Sequence, residues 1–356
     1  MDSQAVKLTG QTRAQWYWKS NSDPLSNQKE EWTNYSVIES EIIEEAFKGK
    51  DKTKLAELDN YWISVNDGIQ ISKSHENKQR PIKRVLTRRN QCLREERFFL
   101  PQPLNKPFND DLGTGAVTFL SQWKKDEKLS DPEIVEKAAN GIIIEGNQLG
   151  QHCESQWIAR QLTAVKNKDR KEIYKSCIKL YTKECFLYKL INKTMRENDK
   201  TKVDTLGPFC YILFRSWYTD DKGCPTGIYR GAEMDSNTIN LYAEAIGQRR
   251  CWNGFSSTSK SHEKAANFGN TLFIIEAKEY SGIDISSCSD FPEEDEVLLP
   301  PATAFTITKV EYDQKTHKTN IYLTLQYTGG TGGGSIASIP TALWSSMILV
   351  VFVCCI

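Results

Sequence analysis

Residues 291–301 read FPEEDEVLLPP. Two carboxylates, Glu294 and Glu296, stand two positions apart, and a short apolar run closed by Pro300 and Pro301 follows. Side chains alternate along a strand, so acids at i and i+2 point the same way, about 7 Å apart. Like charges aimed at one place repel, so such a pair has a reaction to serve or a cation to hold. An isolated E-x-E is equally what an acidic turn entering a strand looks like. The segments that accompany it decide.

Two of these lie upstream. Residues 226–233 read TGIYRGAE, a β-prone run with a lone cation, Arg230, followed at once by Gly231. Residues 254–259 read GFSSTS, where Phe255 and Ser256 lead into Ser257, Thr258 and Ser259. A guanidinium, a hydroxyl cluster and a carboxylate pair, in that order, are what cleavage of NAD requires. The guanidinium fork matches pyrophosphate oxygens bidentately. A small hydroxyl residue holds the nicotinamide-side ribose without crowding it. A carboxylate at the ribose 2′-OH stabilises the oxocarbenium-like charge that grows as the glycosidic bond lengthens.

Y-R-G, then F-x-S-T-S, then E-x-E followed by V-L-x-P-P resembles the arginine-specific mono-ADP-ribosyltransferases of the R-S-E class, over roughly residues 130–328. Residues 180–196 (LYTKECFLYKLINKTMR) are similar to that family's helix ahead of the catalytic core. The resemblance implies that Arg230 binds NAD+, that Ser257 is the first serine of the S-T-S, and that Glu296 is the catalytic glutamate. It implies that Glu294 orients the acceptor guanidinium. Gly231, Phe255, Thr258 and Ser259 complete the expected cofactor-binding set, with Phe268 either near the nicotinamide or a plain core residue. NAD+ is then the co-substrate, no metal is needed, and arginine side chains of acceptor proteins are the targets. A catalytically inert ADP-ribose-binding adaptor and an NAD glycohydrolase are the alternatives.

Ahead of this lies a compact aromatic-rich module, residues 10–95. Trp16, Trp18, Trp32, Tyr35, Tyr61 and Trp62 crowd a short span, as core or stacking platforms do. Residues 40–47 (SEIIEEAF) read as a helix with Ser40 as its N-cap, and strands are expected on either side of the turn Asn66-Asp67-Gly68. Trp16-Tyr17-Trp18, Trp32 with Tyr35, the EEAF helix, Gly68-Ile69-Gln70 and the closing run from Arg80 to Arg84 resemble a WWE domain. That resemblance implies binding of ADP-ribose or poly(ADP-ribose), with Trp18 and Tyr61 facing the ligand, Gln70 hydrogen-bonding it and Arg80 meeting a phosphate. Some WWE domains are protein-interaction modules only. Trp16 and Trp32 are assigned to the core. The basic stretch 78–97 reads either as a solvated edge or as a phosphate-attracting rim.

The 356 residues, 39% hydrophobic and 26% charged, suffice for two domains with cores of their own. A formal net charge of zero gives no global steering toward nucleic acid, and no sequence-specific nucleic acid is expected. Prolines mark residues 96–130 as a linker. From Asp131, with Pro132 at the first helical position, residues 131–196 read as mostly helical. Residues 211–214, 228–230, 271–275 and 321–325 then read as strands. Helices first and strands afterwards make residues 131–328 an α+β domain. Isolated histidines offer no zinc pattern, and ten irregularly spaced cysteines fix no disulfide.

Residues 329–356 form a glycine-rich spacer and a hydrophobic tail ending MILVVFVCCI, without a charge after Lys318. About 20 such residues cross a bilayer, so membrane attachment is expected, by a tail anchor or a glycolipid anchor. Residues 1–15 hold no apolar run behind a positive cluster, which favours the tail anchor with both domains cytoplasmic.

Overall fold

The computed structural model describes residues 12–22, 29–51, 55–88, 108, 114–123, 129–218, 225–277 and 281–326. The hydrophobic tail and residues 89–107 lie outside them. Among the described residues no helix is long and apolar enough to cross a membrane.

The front module is an antiparallel sheet of β1 (Thr12–Lys19), β2 (Trp32–Asn34), β3 (Ala56–Glu57), β4 (Tyr61–Ser64), β5 (Ile69–Ser72) and β6 (Gln79–Arg88), in the order β2-β1-β6-β5-β4-β3. The turn joining β4 to β5 ends at Gly68 with φ +69°, a conformation that glycine alone adopts without cost. Helix α1 (Val37–Lys48) begins one turn earlier than the expected Ser40. Ser36 caps it through a reciprocal capping box with Glu39. Ser40 is buried instead, its hydroxyl accepting from Gln15 Nε2 at 3.0 Å. Trp16 is in the core as expected, but Trp32 is not. It pairs with Lys19 on the edge strand, facing away from the helix, and its ring lies 4.1 Å from Lys83 Nζ.

The second domain starts with helices. Residues 114–123, read as linker, form helix α2 (Thr114–Trp123), whose Ala116, Phe119 and Leu120 are buried in the helical core. Then follow α3 (Asp131–Gln148), capped at Ser130 with Pro132 in its first turn, and α4 (His152–Thr163). The segment expected as one helix over 180–196 is two, α5 (Arg170–Thr182) and α6 (Phe186–Glu197), because the chain turns at Lys183 to bury that side chain. Residues 211–214, read as a strand, lie in α7 (Val203–Arg215). Buried Leu206, Phe209, Cys210 and Leu213 follow the helical period, which outweighs the β-prone composition of the run.

The strands are β7 (Gly227–Ala232), β8 (Arg249–Trp252), β9 (Ser256–Ser259), β10 (Thr271–Glu276), β11 (Ile283–Asp284), β12 (Glu296–Leu299), β13 (Thr303–Asp313) and β14 (Lys318–Leu325). Their order is β11-β12-β9-β7-β10-β14-β13-β8, with β10 and β14 parallel and the other neighbours antiparallel. Helices α8 (Ser236–Glu244) and α9 (His262–Ala266) sit between strands. The α+β reading of the domain holds.

Helix α1 belongs to both domains. Ile43 closes the core of the front module, while Ile38 and Ile42 enter the helical core of the second. Around them, Glu45 accepts from Trp157 Nε1 at 2.8 Å and Arg160 Nη2 at 2.5 Å. Asp59 accepts from the Cys153 N–H at 2.8 Å, and the Ser36 hydroxyl donates to Glu154 Oε1 at 2.6 Å. Burial pushes the Glu154 carboxyl up from 4.5 to about 7, against the stabilising hydrogen bond from Ser36. The folded state therefore keeps a proton that the unfolded chain gives up near 4.5, so its stability declines as pH rises from about 4.5 to about 7. Glu154→Gln is expected to remove that decline and to be more stable than wild type at pH 8 by about 3 kcal/mol. Denaturant unfolding at pH 5 and pH 8 measures it, and parallel pH profiles for the two proteins would contradict it.

Candidate active site

Arg230 sits in the middle of β7, opposite Phe273 of β10. On the other side β7 pairs with β9 through Tyr229↔Ser259. Beyond that couple a side chain ties the strands: Arg230 Nη1 donates to the Ser257 carbonyl at 2.7 Å. β9 in turn pairs with β12 in the register Glu296↔Ser259 and Leu298↔Ser257. Opposed residues share a face and so do alternate ones, which places Ser257, Ser259 and Glu296 together. Thr258 points the other way, its hydroxyl donating to the Val297 carbonyl at 2.7 Å.

The acidic pair is not built as the strand alternation suggests. Glu296 opens β12, but Glu294 ends a 3₁₀ turn, Pro292–Glu294. Asp295 between them takes a left-handed φ of +49°, which Asp tolerates better than most residues. The Ser259 hydroxyl donates to the Glu294 carbonyl at 2.7 Å, and Lys264 Nζ holds Asp295 at 2.6 Å. Both glutamates are nevertheless beside the serine strand, and both are buried.

Burial pulls the Arg230 guanidinium below its ordinary value, and Arg196 of α6 pulls it further, against Tyr242, Tyr181 and Glu296. Burial lowers Arg196 as well. Two cations within each other's field favour an anionic ligand, and a pyrophosphate meets that need. Arg196 lies at the end of the helical segment quoted from the sequence, but no spacing marks it. Only the fold brings its charge to bear on Arg230.

The remaining expected residues fall into two groups. Gly231 has a packing reason: a Cβ there would come within 2.1 Å of the Ala265 carbonyl and 2.8 Å of Phe268 Cβ. Phe268 is buried beside it. Phe255 is buried in an aromatic cluster, its ring 5.5 Å from Tyr181 and 5.7 Å from Trp217. It joins the entry of β9 to the helices.

In the front module, the registers Trp18↔Ile82, Gln70↔Arg80, Ile63↔Gln70 and Tyr61↔Ser72 put Trp18, Arg80, Gln70 and Tyr61 on one sheet face. Trp18 and Tyr61 are half-buried. Gln70 is buried, with its side-chain oxygen accepting from the Tyr35 hydroxyl at 2.7 Å. Arg80 Nη1 donates to the Lys19 carbonyl at 2.9 Å and the Asn21 carbonyl at 2.5 Å, and its guanidinium lies 5.5 Å from the Trp18 ring. Of the basic stretch, Arg84 is engaged by Glu44 at 2.7 Å.

A guanidinium, a hydroxyl strand and a carboxylate-bearing turn gathered on neighbouring strands of one eight-stranded sheet, packed against the helices, define an ADP-ribosyltransferase domain. Residues 127–328 match the family described as NAD:arginine ADP-ribosyltransferase, and residues 14–84 match the WWE domain. The chain belongs to the NAD:arginine ADP-ribosyltransferase family and carries a WWE domain in front. Two curated relatives are from Gallus gallus. NAD(P)(+)–arginine ADP-ribosyltransferase 1 is 39% identical over 69 residues, 19% of this chain and 22% of that protein. NAD(P)(+)–arginine ADP-ribosyltransferase 2 is 43% identical over 54 residues, 15% of this chain and 17% of that protein. The matches thus span about a fifth of these relatives' length. Among solved structures, the type III effector XopAI from Xanthomonas axonopodis pv. citri is 15% identical with a TM-score of 0.44, covering 63% of this chain and 96% of that one.

Proposed function

We propose that the chain transfers ADP-ribose from NAD+ to arginine side chains of acceptor proteins, and that its WWE domain reads ADP-ribose or poly(ADP-ribose). The observation that carries the first part is the adjacency of the strands that bear Arg230, Ser257 and Glu296, with Arg230 Nη1 bonded to the Ser257 carbonyl at 2.7 Å. Arg230 holds the pyrophosphate, and Ser257 fixes the ribose beside the scissile bond. Glu296 stabilises the positive charge that spreads over the ribose ring as the bond from C1′ to the nicotinamide nitrogen breaks. The acceptor guanidinium nitrogen forms the new bond to C1′ and gives its proton to Glu294, while nicotinamide leaves with the bonding electron pair. Incubation with labelled NAD+ and an arginine analogue tests this. Label on the analogue is expected; label on water-derived ADP-ribose alone indicates a glycohydrolase, and unreacted NAD+ an inert adaptor.

The reader part is supported by four side chains of stacking and hydrogen-bonding type on one face of adjacent strands. Base stacking on an aromatic face is worth about 1–3 kcal/mol. Calorimetric titration of the full chain with ADP-ribose and with poly(ADP-ribose) tests it; heat from neither would refute it. Membrane attachment through residues 336–356 belongs to the same proposal, motivated by their apolar composition. Deleting them is expected to move the protein to the soluble fraction, and an unchanged membrane fraction would argue against the tail.

A further inference from the structure

Where the two domains meet, four charged side chains close a ring. Arg13 of β1 and Glu41 of α1 come from the front module; Lys183 and Asp290 come from the transferase domain. Arg13 Nη1 lies 2.9 Å from Asp290 Oδ2, and Lys183 Nζ lies 3.1 Å from Asp290 Oδ1. Glu41 Oε1 completes the cycle at 3.2 Å from Lys183 Nζ and 3.4 Å from Arg13 Nη2. Charges alternate around the ring, which is neutral as a whole. The side chains of Lys183 and Asp290 are only 2% and 5% exposed. Burial alone would raise the Asp290 carboxyl, but Lys183 and Arg13 outweigh it and hold it below its usual range. A buried ionic group of this kind is costly unless all its partners are in place.

Asp290 immediately precedes the turn that bears Glu294 and leads into β12 with Glu296, and hydrogen bonds hold this stretch. The Asp290 N–H donates to Thr182 Oγ1 at 2.9 Å, and the Phe291 N–H to Ser289 Oγ at 3.0 Å. The Phe291 ring packs 5.7 Å from the Arg13 guanidinium. Proline fixes φ at position 292, and the Glu294 N–H closes the turn on the Phe291 carbonyl at 3.1 Å. The front module therefore touches the acceptor side of the site twice through one residue, once by charge and once by packing.

We propose that Arg13, supported by Glu41 and acting through Asp290 and Lys183, is a positioning residue for the turn that presents Glu294 to the acceptor. The WWE domain is then a part of the transferase and not a detachable reader. This rests on the transferase reading above. Arg13→Gln is expected to lower transfer to an arginine analogue about tenfold while NAD+ hydrolysis and the KM for NAD+ stay within about twofold, because misplacement of one reacting group is felt in the step that uses it. Arg13→Lys, which keeps the charge, is expected to restore most of the transfer. Amide hydrogen exchange over residues 290–296 is expected to quicken in Arg13→Gln, with exchange in α3 and β14 unchanged. Unchanged exchange at 290–296 overturns the proposal, as does an equal loss of both activities in a variant that remains folded. If the wild-type chain releases no nicotinamide from NAD+, the transferase reading fails, yet the exchange measurement still decides whether Arg13 anchors the turn. Should Arg13→Gln not fold, Glu41→Gln removes only the more exposed member of the ring; the same measurements then apply, with the same expected and overturning results.

Discussion

Glu296→Gln should lose ADP-ribosyl transfer by about two to four powers of ten, or about 3–5 kcal/mol of transition-state stabilisation. The substitution keeps shape and removes charge. The backbone at this position is held from both sides, paired with Ser259 of β9 and accepting the Ile285 N–H at 3.0 Å. The amide should therefore sit where the carboxylate sat, and the loss reports the charge rather than a displaced strand. Glu296 is 1% exposed, so its field acts through protein and not through water, where it would be screened. Glutamine still offers a hydrogen-bond acceptor to a ribose hydroxyl, so binding of NAD+ should weaken only a few-fold. Initial rates of label transfer to an arginine analogue over a range of NAD+ concentrations separate the two terms. A variant whose defect lies in KM with kcat intact would show that Glu296 binds the ground state and does not stabilise the reaction's charge.

How much of the molecule is legible from its sequence depends on the distance over which each feature is encoded. Arg230, Ser257 and Glu296 are readable because each sits in a local strand motif, and the β9–β12 register then brings Ser257 and Glu296 to one face. The turn at Gly68 and the helix opening at Asp131 are readable for the same reason. Local rules fail where two of them compete. Ser36 and Ser40 are both credible caps, but only Ser36 is followed three residues later by a glutamate, Glu39, that completes the box. Helix α2 is hidden by the prolines before it, although Ala116, Phe119, Leu120 and Trp123 follow helical spacing. In the acidic stretch a period of two is the natural expectation, whereas Pro292 and the left-handed Asp295 impose a turn. The ring of Arg13, Glu41, Lys183 and Asp290 is not legible at all. Its members are far apart in the chain, and each looks like an ordinary surface charge until tertiary packing buries two of them.

Glu294→Gln should separate the two reactions that an NAD+ site of this kind can run. Transfer requires the acceptor guanidinium to lose a proton, and a free arginine side chain holds that proton above about pH 12. A base aimed at it is therefore indispensable, and general-base catalysis contributes about 10²–10⁴-fold. Hydrolysis uses water, which attacks a highly electrophilic ribosyl cation and needs far less help. Transfer to an arginine analogue is accordingly expected to fall at least about a hundredfold, with NAD+ hydrolysis reduced less than about tenfold. The turn itself should survive, because Glu294 is fixed by its main chain: its carbonyl accepts from Ser259 Oγ at 2.7 Å and its N–H reaches the Phe291 carbonyl. Glu294 is 2% exposed in this structure, so an arriving acceptor must displace whatever covers it. The side chain then meets the guanidinium in a dry setting, where a single ion pair is strong. Nicotinamide release and label transfer, measured in the same reaction, give the ratio directly. Equal losses in both would mean that Glu294 serves the NAD+ half of the site, and that the acceptor is deprotonated elsewhere.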